Sequence, residues 1–200
     1  DGQTYIIIKD SITFLLTAAG ILLASRGLST WREQMKGIKE FDASYNLNYS
    51  ILKLRNAIKK VRNPAIWNAE FSEAIKFAKE NYPERVDDPD FEKDAKRYVY
   101  ERRWEQIINA FTEIESHQLA TEVLWGSDIL KKIKPLRENV TELKISLEQH
   151  LRPNLRTKDG NKIDEIIYNH GNDVEDDEFG KKVSKSIEEI NNCIKEKLKK

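Results

Sequence analysis

Apolar positions fall in two regimes along this chain. Residues 5–28 read Tyr-Ile-Ile-Ile-Lys-Asp-Ser-Ile-Thr-Phe-Leu-Leu-Thr-Ala-Ala-Gly-Ile-Leu-Leu-Ala-Ser-Arg-Gly-Leu and are apolar almost throughout. After them, apolar residues recur every three or four positions, the period of helices with one buried face. Trp31, Met35, Ile38, Tyr45, Tyr49 and Leu52 mark one stripe, and Leu47, Ile51, Leu54, Ile58 and Val61 an adjoining one. Together they predict a wide buried face on a helix from about Thr30 to Val61. Thr30-Trp31-Arg32-Glu33 matches a capping box, so the helix is expected to restart there after a joint at Gly27–Ser29, or to run straight through, since one Gly costs only about 1 kcal/mol.

The punctuation then repeats. Asn63-Pro64 predicts a cap and a first-position proline for a helix carrying Ile66, Trp67, Phe71, Ile75 and Phe77 and ending near Asn81. A loop over 82–87 leads to Asp88-Pro89-Asp90, a second start of the same kind. The long helix it opens carries Tyr100, Trp104, Ile107, Phe111, Ile114, Gln118, Thr121 and Trp125 at alternating spacings of four and three. Gly126 ends it and Ser127 caps the next, whose stripe is Leu130, Ile133, Leu136, Val140, Leu143, Leu147 and Leu151. Pro135 should kink that helix or move its start. Two long helices joined by so short a turn predict an antiparallel hairpin. Residues 152–173 break the pattern with turn residues, and Ile163–Tyr168 is short enough for a strand or one helical turn. A last helix opens in the acids 175–178 and closes in Lys195, Lys197, Lys199 and Lys200, an order that suits the helix dipole. Its stripe is Phe179, Val183, Ile187, Ile190, Ile194 and Leu198.

The apolar stretch admits three readings. A membrane span needs about 20 apolar residues to cross a core of ~30 Å. The uncharged part, 11–25, gives only about 22 Å of helix, so Lys9 and Asp10 would sit near one interface with their side chains reaching the headgroups. Tyr5 and Trp31 would flank the span as aromatic anchors. A signal peptide is opposed by Asp10 in its basic region and by the lack of an Ala-x-Ala site; a buried core helix is the third option. The span is preferred. Lys9 stands alone on the amino side, against Arg26, Arg32, Lys36 and Lys39 on the carboxyl side, which predicts the amino end outside and the main domain in the cytoplasm. Gly20 and Ala24 form a small-xxx-small pair that permits close helix contact in lipid.

The expected fold is therefore all-α: one N-terminal transmembrane helix (residues 1–28), then an elongated helical bundle with a long antiparallel helical hairpin (residues 29–200). Composition agrees. In 200 residues, 34% are charged and only 8 are Gly and 5 Pro, which favours long helices. Lys+Arg and Asp+Glu balance at 34 each, so nothing draws the whole chain to nucleic acid or anionic lipid. Cys193 is the one cysteine; no internal disulfide can form, as suits a reducing compartment. The chain begins at Asp1 and not at a Met, which leaves its natural start open.

One short span, then Trp31-Arg32-Glu33-Gln34-Met35-Lys36-Gly37, Lys53-Leu54-Arg55-Asn56-Ala57-Ile58 and Val61-Arg62-Asn63-Pro64, resembles a group of uncharacterised bacterial membrane proteins. Ile166-Ile167-Tyr168 followed by Asp177-Glu178-Phe179-Gly180 is similar to theirs as well. The resemblance implies a single-pass bacterial inner-membrane protein with a helical cytoplasmic part; it implies no activity.

Candidate chemistry is sparse. Asp177-Glu178-Phe179-Gly180 is superficially similar to the kinase magnesium motif, but the Gly-rich loop, the Val-Ala-Ile-Lys strand and the His-Arg-Asp loop are missing, and an acidic helix start explains it. Glu113 and His117 lie one turn apart, without the second Glu-x-x-His that a helical metal site needs; His150 and His170 have no such company. Cys193 near Lys195 and Lys197 reads as a small core or edge residue. Asp173, Glu175, Asp176, Asp177 and Glu178 read as an acidic cap, and Asp159–Asp164 lacks the rest of a calcium loop. Basic clusters (Lys53, Arg55, Lys59, Lys60 and Arg62; Arg97, Arg102 and Arg103; Lys131, Lys132, Lys134 and Arg137) with Tyr98 and Trp104 interleaved would suit headgroups or nucleic acid, although interspersed acids favour a plain solvated face, and nucleic acid is not the favoured partner.

No catalytic, cofactor or metal signature emerges. The preferred function is a membrane-tethered interaction or scaffold protein that meets lipid and either itself or another membrane or cytoplasmic protein. Its candidate contact residues are Lys9, Asp10, Gly20, Ala24, Trp31, Lys59, Lys60 and Arg62. The alternative is a membrane-acting effector, as in phage defence, whose spans cluster on sensing a signal; ionisable Lys9 and Asp10 inside a short span motivate it.

Overall fold

The computed structural model describes residues 2–152, 160–168 and 177–199. It is all-helical, with no strand among those residues: α1 (Gly2–Val61), α2 (Asn68–Asn81), a single 3-10 turn (Pro83–Arg85), α3 (Phe91–Trp125), α4 (Asp128–Leu151), α5 (Gly160–Ile167) and α6 (Glu178–Leu198). The chain divides into two units, residues 1–42 and 43–200. The first consists of α1 alone. The second holds the end of α1 and every other element.

α1 is unbroken through Gly27, Leu28, Ser29 and Thr30. No joint forms there and the capping box is not used, because all backbone N–H groups around Thr30 already have helical partners. The cost of one helical Gly is too small to stop the run.

In the second unit, α1 contributes Leu47, Ile51, Leu54, Ile58 and Val61 to one apolar core. Ile107 and Ile114 of α3, Ile133, Leu136 and Leu143 of α4, Ile166 of α5, and Val183, Ile190 and Ile194 of α6 complete it. Each such side chain contributes about 1.5–3 kcal/mol when fully buried. A smaller cluster, Ala74 with Ala95 and Val99, seats α2 on α3, and the rings of Phe77 and Tyr98 stack with centroids 4.0 Å apart. α3 ends at Gly126, whose φ of +78° suits glycine. α4 runs through Pro135 without ending. Ile163–Tyr168 resolves as the end of α5, not a strand.

Two helix starts differ from expectation. α2 opens at Asn68 rather than Pro64. Proline disfavours the helical region for Asn63, and the Asn63 side chain accepts a bond from the Ala65 N–H at 2.9 Å. The carbonyls of Asn63 and Ala65 then go to a guanidinium: Arg103 donates to each at 2.7 Å. α3 opens at Phe91, after Asp88 has turned the chain by accepting from the Asp90 N–H at 2.9 Å.

Arg103 and Arg62 are the largest fully buried side chains of the unit, 2% and 1% exposed. Arg103 also reaches Glu70 with two donors, at 3.2 and 2.7 Å. Arg62 donates through Nε to the Ile166 carbonyl at 2.6 Å, and through Nη2 to the Glu165 carbonyl at 3.1 Å and to Asp177 at 2.7 Å. The planar fork thus takes the last carbonyls of α5, where a cation also meets the negative end of the helix dipole. Asp177 is simultaneously the N-cap of α6, accepting from the Gly180 N–H at 2.7 Å. One guanidinium ties the end of α1 to the end of α5 and the start of α6.

Replacing Arg62 with Ala is expected to cost the full chain about 3 kcal/mol, because buried carbonyls and a carboxylate lose their partner. Arg62→Lys should recover less than half, since an ammonium lacks the fork. Urea unfolding followed by circular dichroism measures both; a loss below ~0.5 kcal/mol, the range of an ordinary surface change, would show that the clamp is not structural.

Candidate interaction surfaces

In the first unit, the described large apolar side chains of α1 are exposed. Phe14 is 73% exposed and Leu16 and Leu23 are 69% exposed. The helix is long and apolar enough to cross a membrane. Its hydroxyls turn inward: Thr13 donates to the Lys9 carbonyl at 2.9 Å, Thr17 to Thr13 at 2.8 Å and Ser25 to Leu22 at 2.9 Å. Self-satisfied polar groups are what an apolar surrounding demands. Lys9 is exposed; the side chains of Tyr5 and Asp10 lie outside the described ones. Gly20 and Ala24 are exposed one turn apart, and a Cβ added at Gly20 would meet nothing within 4 Å.

The stripe expected to be buried is not. In the first unit Trp31 is 56% exposed, and Leu28, Met35, Ile38 and Phe41 are also exposed. In the second, Tyr45, Tyr49 and Leu52 are exposed while Leu47, Ile51 and Leu54 are fully buried. Residues two apart on a helix point about 200° apart, so α1 can give only one of these stripes to the core.

Arg62 does not belong to an interaction surface: it is buried and committed to the fold. Arg103 is corrected in the same way. Lys59 and Lys60 are exposed on the last turn of α1. The other basic clusters are matched by acids. Lys53 binds both oxygens of Glu113 at 2.9 Å, which removes Glu113 as a partner for His117. Arg97 pairs with Glu101, Arg102 with Glu105, Lys132 with Glu189 and Arg137 with Glu115. Among the described residues, the bases of α3 and α4 are thus interspersed with acids that pair with them.

Beside Arg103 a cleft of about 320 Å³ is lined by Lys60, Glu70, Glu73, Tyr98 and Arg102, among others. The Arg103 bond, opposed by burial, holds the Glu70 carboxyl below the usual carboxylate range. A second polar cluster joins α3, α4 and α5. His150 Nε2 lies 2.9 Å from the Tyr168 hydroxyl and its Nδ1 3.5 Å from Asp164, and the Tyr100 ring meets it edge-on. Burial pushes the Tyr100 hydroxyl above its ordinary value. These groups fasten α5 to the long helices. Cys193 is buried. Asp177 of the acidic run is a helix cap; Asp173, Glu175, Asp176, Asp159 and His170 lie outside the described residues. Among the described residues no three His, Cys, Asp or Glu side chains gather as for a metal ion.

Sequence reading missed both buried arginines, although a signal existed. Arg103 sits four residues from both Val99 and Ile107, and Arg62 four from Ile58, each in line with a buried stripe. No family model, curated protein or solved structure matches this chain.

The Glu70–Arg103 pair sets an acid dependence. A carboxyl whose folded value is lowered contributes stability present above its unfolded value and lost as pH falls through the folded one. Wild type should therefore lose stability below about pH 4.5 more steeply than Glu70→Gln, while exceeding it at pH 7. Parallel slopes in urea titrations at pH 7 and pH 3 would contradict this.

Proposed function

We propose that this chain is a single-pass membrane-anchored interaction protein of the bacterial inner membrane. The anchor is the apolar part of α1, around residues 5–28, and the amino end lies outside. The helical unit, an elongated bundle in which α3 and α4 form an antiparallel hairpin, stands in the cytoplasm and holds a protein partner at the membrane. The observation that carries this is the all-round exposure of an apolar helix whose hydroxyls are satisfied within it. A surface of that kind has no aqueous solution other than aggregation or burial. The orientation rests on the basic residues Arg26, Arg32, Lys36 and Lys39 after the span, against Lys9 before it. Trp31, just past the span, is placed as an interfacial aromatic. The bacterial assignment rests on the sequence resemblance.

Alkaline carbonate washing of membranes from cells expressing the full chain tests the anchor. Wild type should stay in the pellet. Leu15→Arg with Leu22→Arg, each costing about 3 kcal/mol in mid-membrane, should move the protein to the supernatant. Wild type released by carbonate would refute the anchor. Protease added to spheroplasts should leave the helical unit intact, and its digestion would reverse the orientation.

A further inference from the structure

The first unit carries a second regularity that its apolarity hides. Ile21, Ala24, Leu28, Trp31, Met35, Ile38 and Asp42 follow one another at alternating spacings of three and four. Phe14 and Thr17 extend the series upstream in the same register. A strict seven-residue repeat differs from the 3.6-residue turn of a straight helix by about 20° per heptad, and it keeps one seam in line only if helices supercoil around each other. Random lipid-facing residues do not need it. Past Leu28 the pattern is amphipathic, with Lys36 and Glu40 paired on the outer face.

We infer that this seam binds a second copy of the same chain, aligned in parallel. This rests on the membrane-anchored reading and names one partner for it. Two observations select that occupant. The first is charge. The positions flanking the seam on one side are Ala18, Ser25, Arg32 and Lys39, and on the other Gly20, Gly27, Gln34 and Phe41. Parallel identical helices set the second side of one copy against the first side of the other, five residues on. Gly27 then faces the other copy's residue 32, and Gln34 its residue 39, so no like charges meet at these flanking positions. Antiparallel copies would set Arg32 and Lys39 against the same bases.

The second is space. Gly20 and Gly27 border the seam, and a Cβ at either would meet nothing within 4 Å. No described side chain keeps them small, at a helix cost of about 1 kcal/mol each; a closely packed neighbour would.

Asp42 closes the series at a seam position and is exposed. In a parallel pair the two carboxylates would face each other, so Asp42 limits how far the seam zips toward the helical unit.

Single cysteines in a Cys193→Ala background, treated with a short bismaleimide in native membranes, test the pairing. Same-residue dimers should form at Met35→Cys and Ile38→Cys about fivefold more than at Glu33→Cys and Glu40→Cys, which face away from the seam. Glu33, Met35 and Ile38 are exposed and Glu40 is partly buried; none of them belongs to the core of the helical unit, so the substitutions leave that core intact. A second variant keeps the proposal open to refutation by another route: Ile38→Glu should abolish the Met35→Cys dimer, and Asp42→Asn should increase it. Cross-linking equal at all four sites, or absent at Met35→Cys and Ile38→Cys, overturns the seam. Carbonate washing of the same samples separates the two claims. Pelleted protein without periodic dimers sinks the seam and spares the anchor; dimers from a protein that washes off sink the anchor and spare the seam.

Discussion

A helix satisfies its own backbone at any length, but it has only so many faces to hide. α1 needs two. From Ala43 onward its Leu47, Ile51, Leu54 and Ile58 face is built into a helical core, and the opposite Tyr45, Tyr49 and Leu52 face stays outside. Before Ala43 the described large apolar side chains of α1 are exposed. The apolar surface that remains belongs to whatever lies outside the monomer, and the proposed function follows from that single constraint. Lipid suits the part that is apolar all round; a neighbouring helix suits the part that is apolar along one line.

The helical unit solves a different problem, that of ends. Short α5 and the irregular chain after α1 leave carbonyls outside any helical ladder. Arg62 and Arg103 take them, each with a charge and a planar fork. Both guanidiniums are partly neutralised, by Asp177 and Glu70 respectively, which makes their burial tolerable. The arrangement fixes where α2 starts and where α6 sits. It also takes two bases out of the surface.

The helical periods were plain in the sequence. The α3, α4 and α6 stripes around Ile107, Leu136, Leu143, Val183 and Ile190 are core residues as the spacing predicted, and the all-helical class and the apolar amino-terminal helix follow from composition and run length. Two things were not legible, for physical reasons. Periodicity shows that a face is apolar but not what it faces, so the Trp31–Leu52 stripe was assigned to a core that the adjoining stripe occupies. A basic residue in line with such a stripe looks like a surface charge until its acceptors are known, and those of Arg62 lie more than a hundred positions away. Local start signals at Pro64 and Thr30 failed where a tertiary bond or an already continuous helix overrode them.

The most direct test of the environment assigned to α1 is a nitroxide scan along residues 12–41 of the full chain in lipid vesicles, read by power saturation. Lipid burial predicts high collision with oxygen and low collision with a water-soluble nickel complex from Phe14 to Leu23, with nickel access returning at Glu33 and Glu40. Nickel access throughout Phe14 to Leu23 would contradict the account, because that helix would then lie in water.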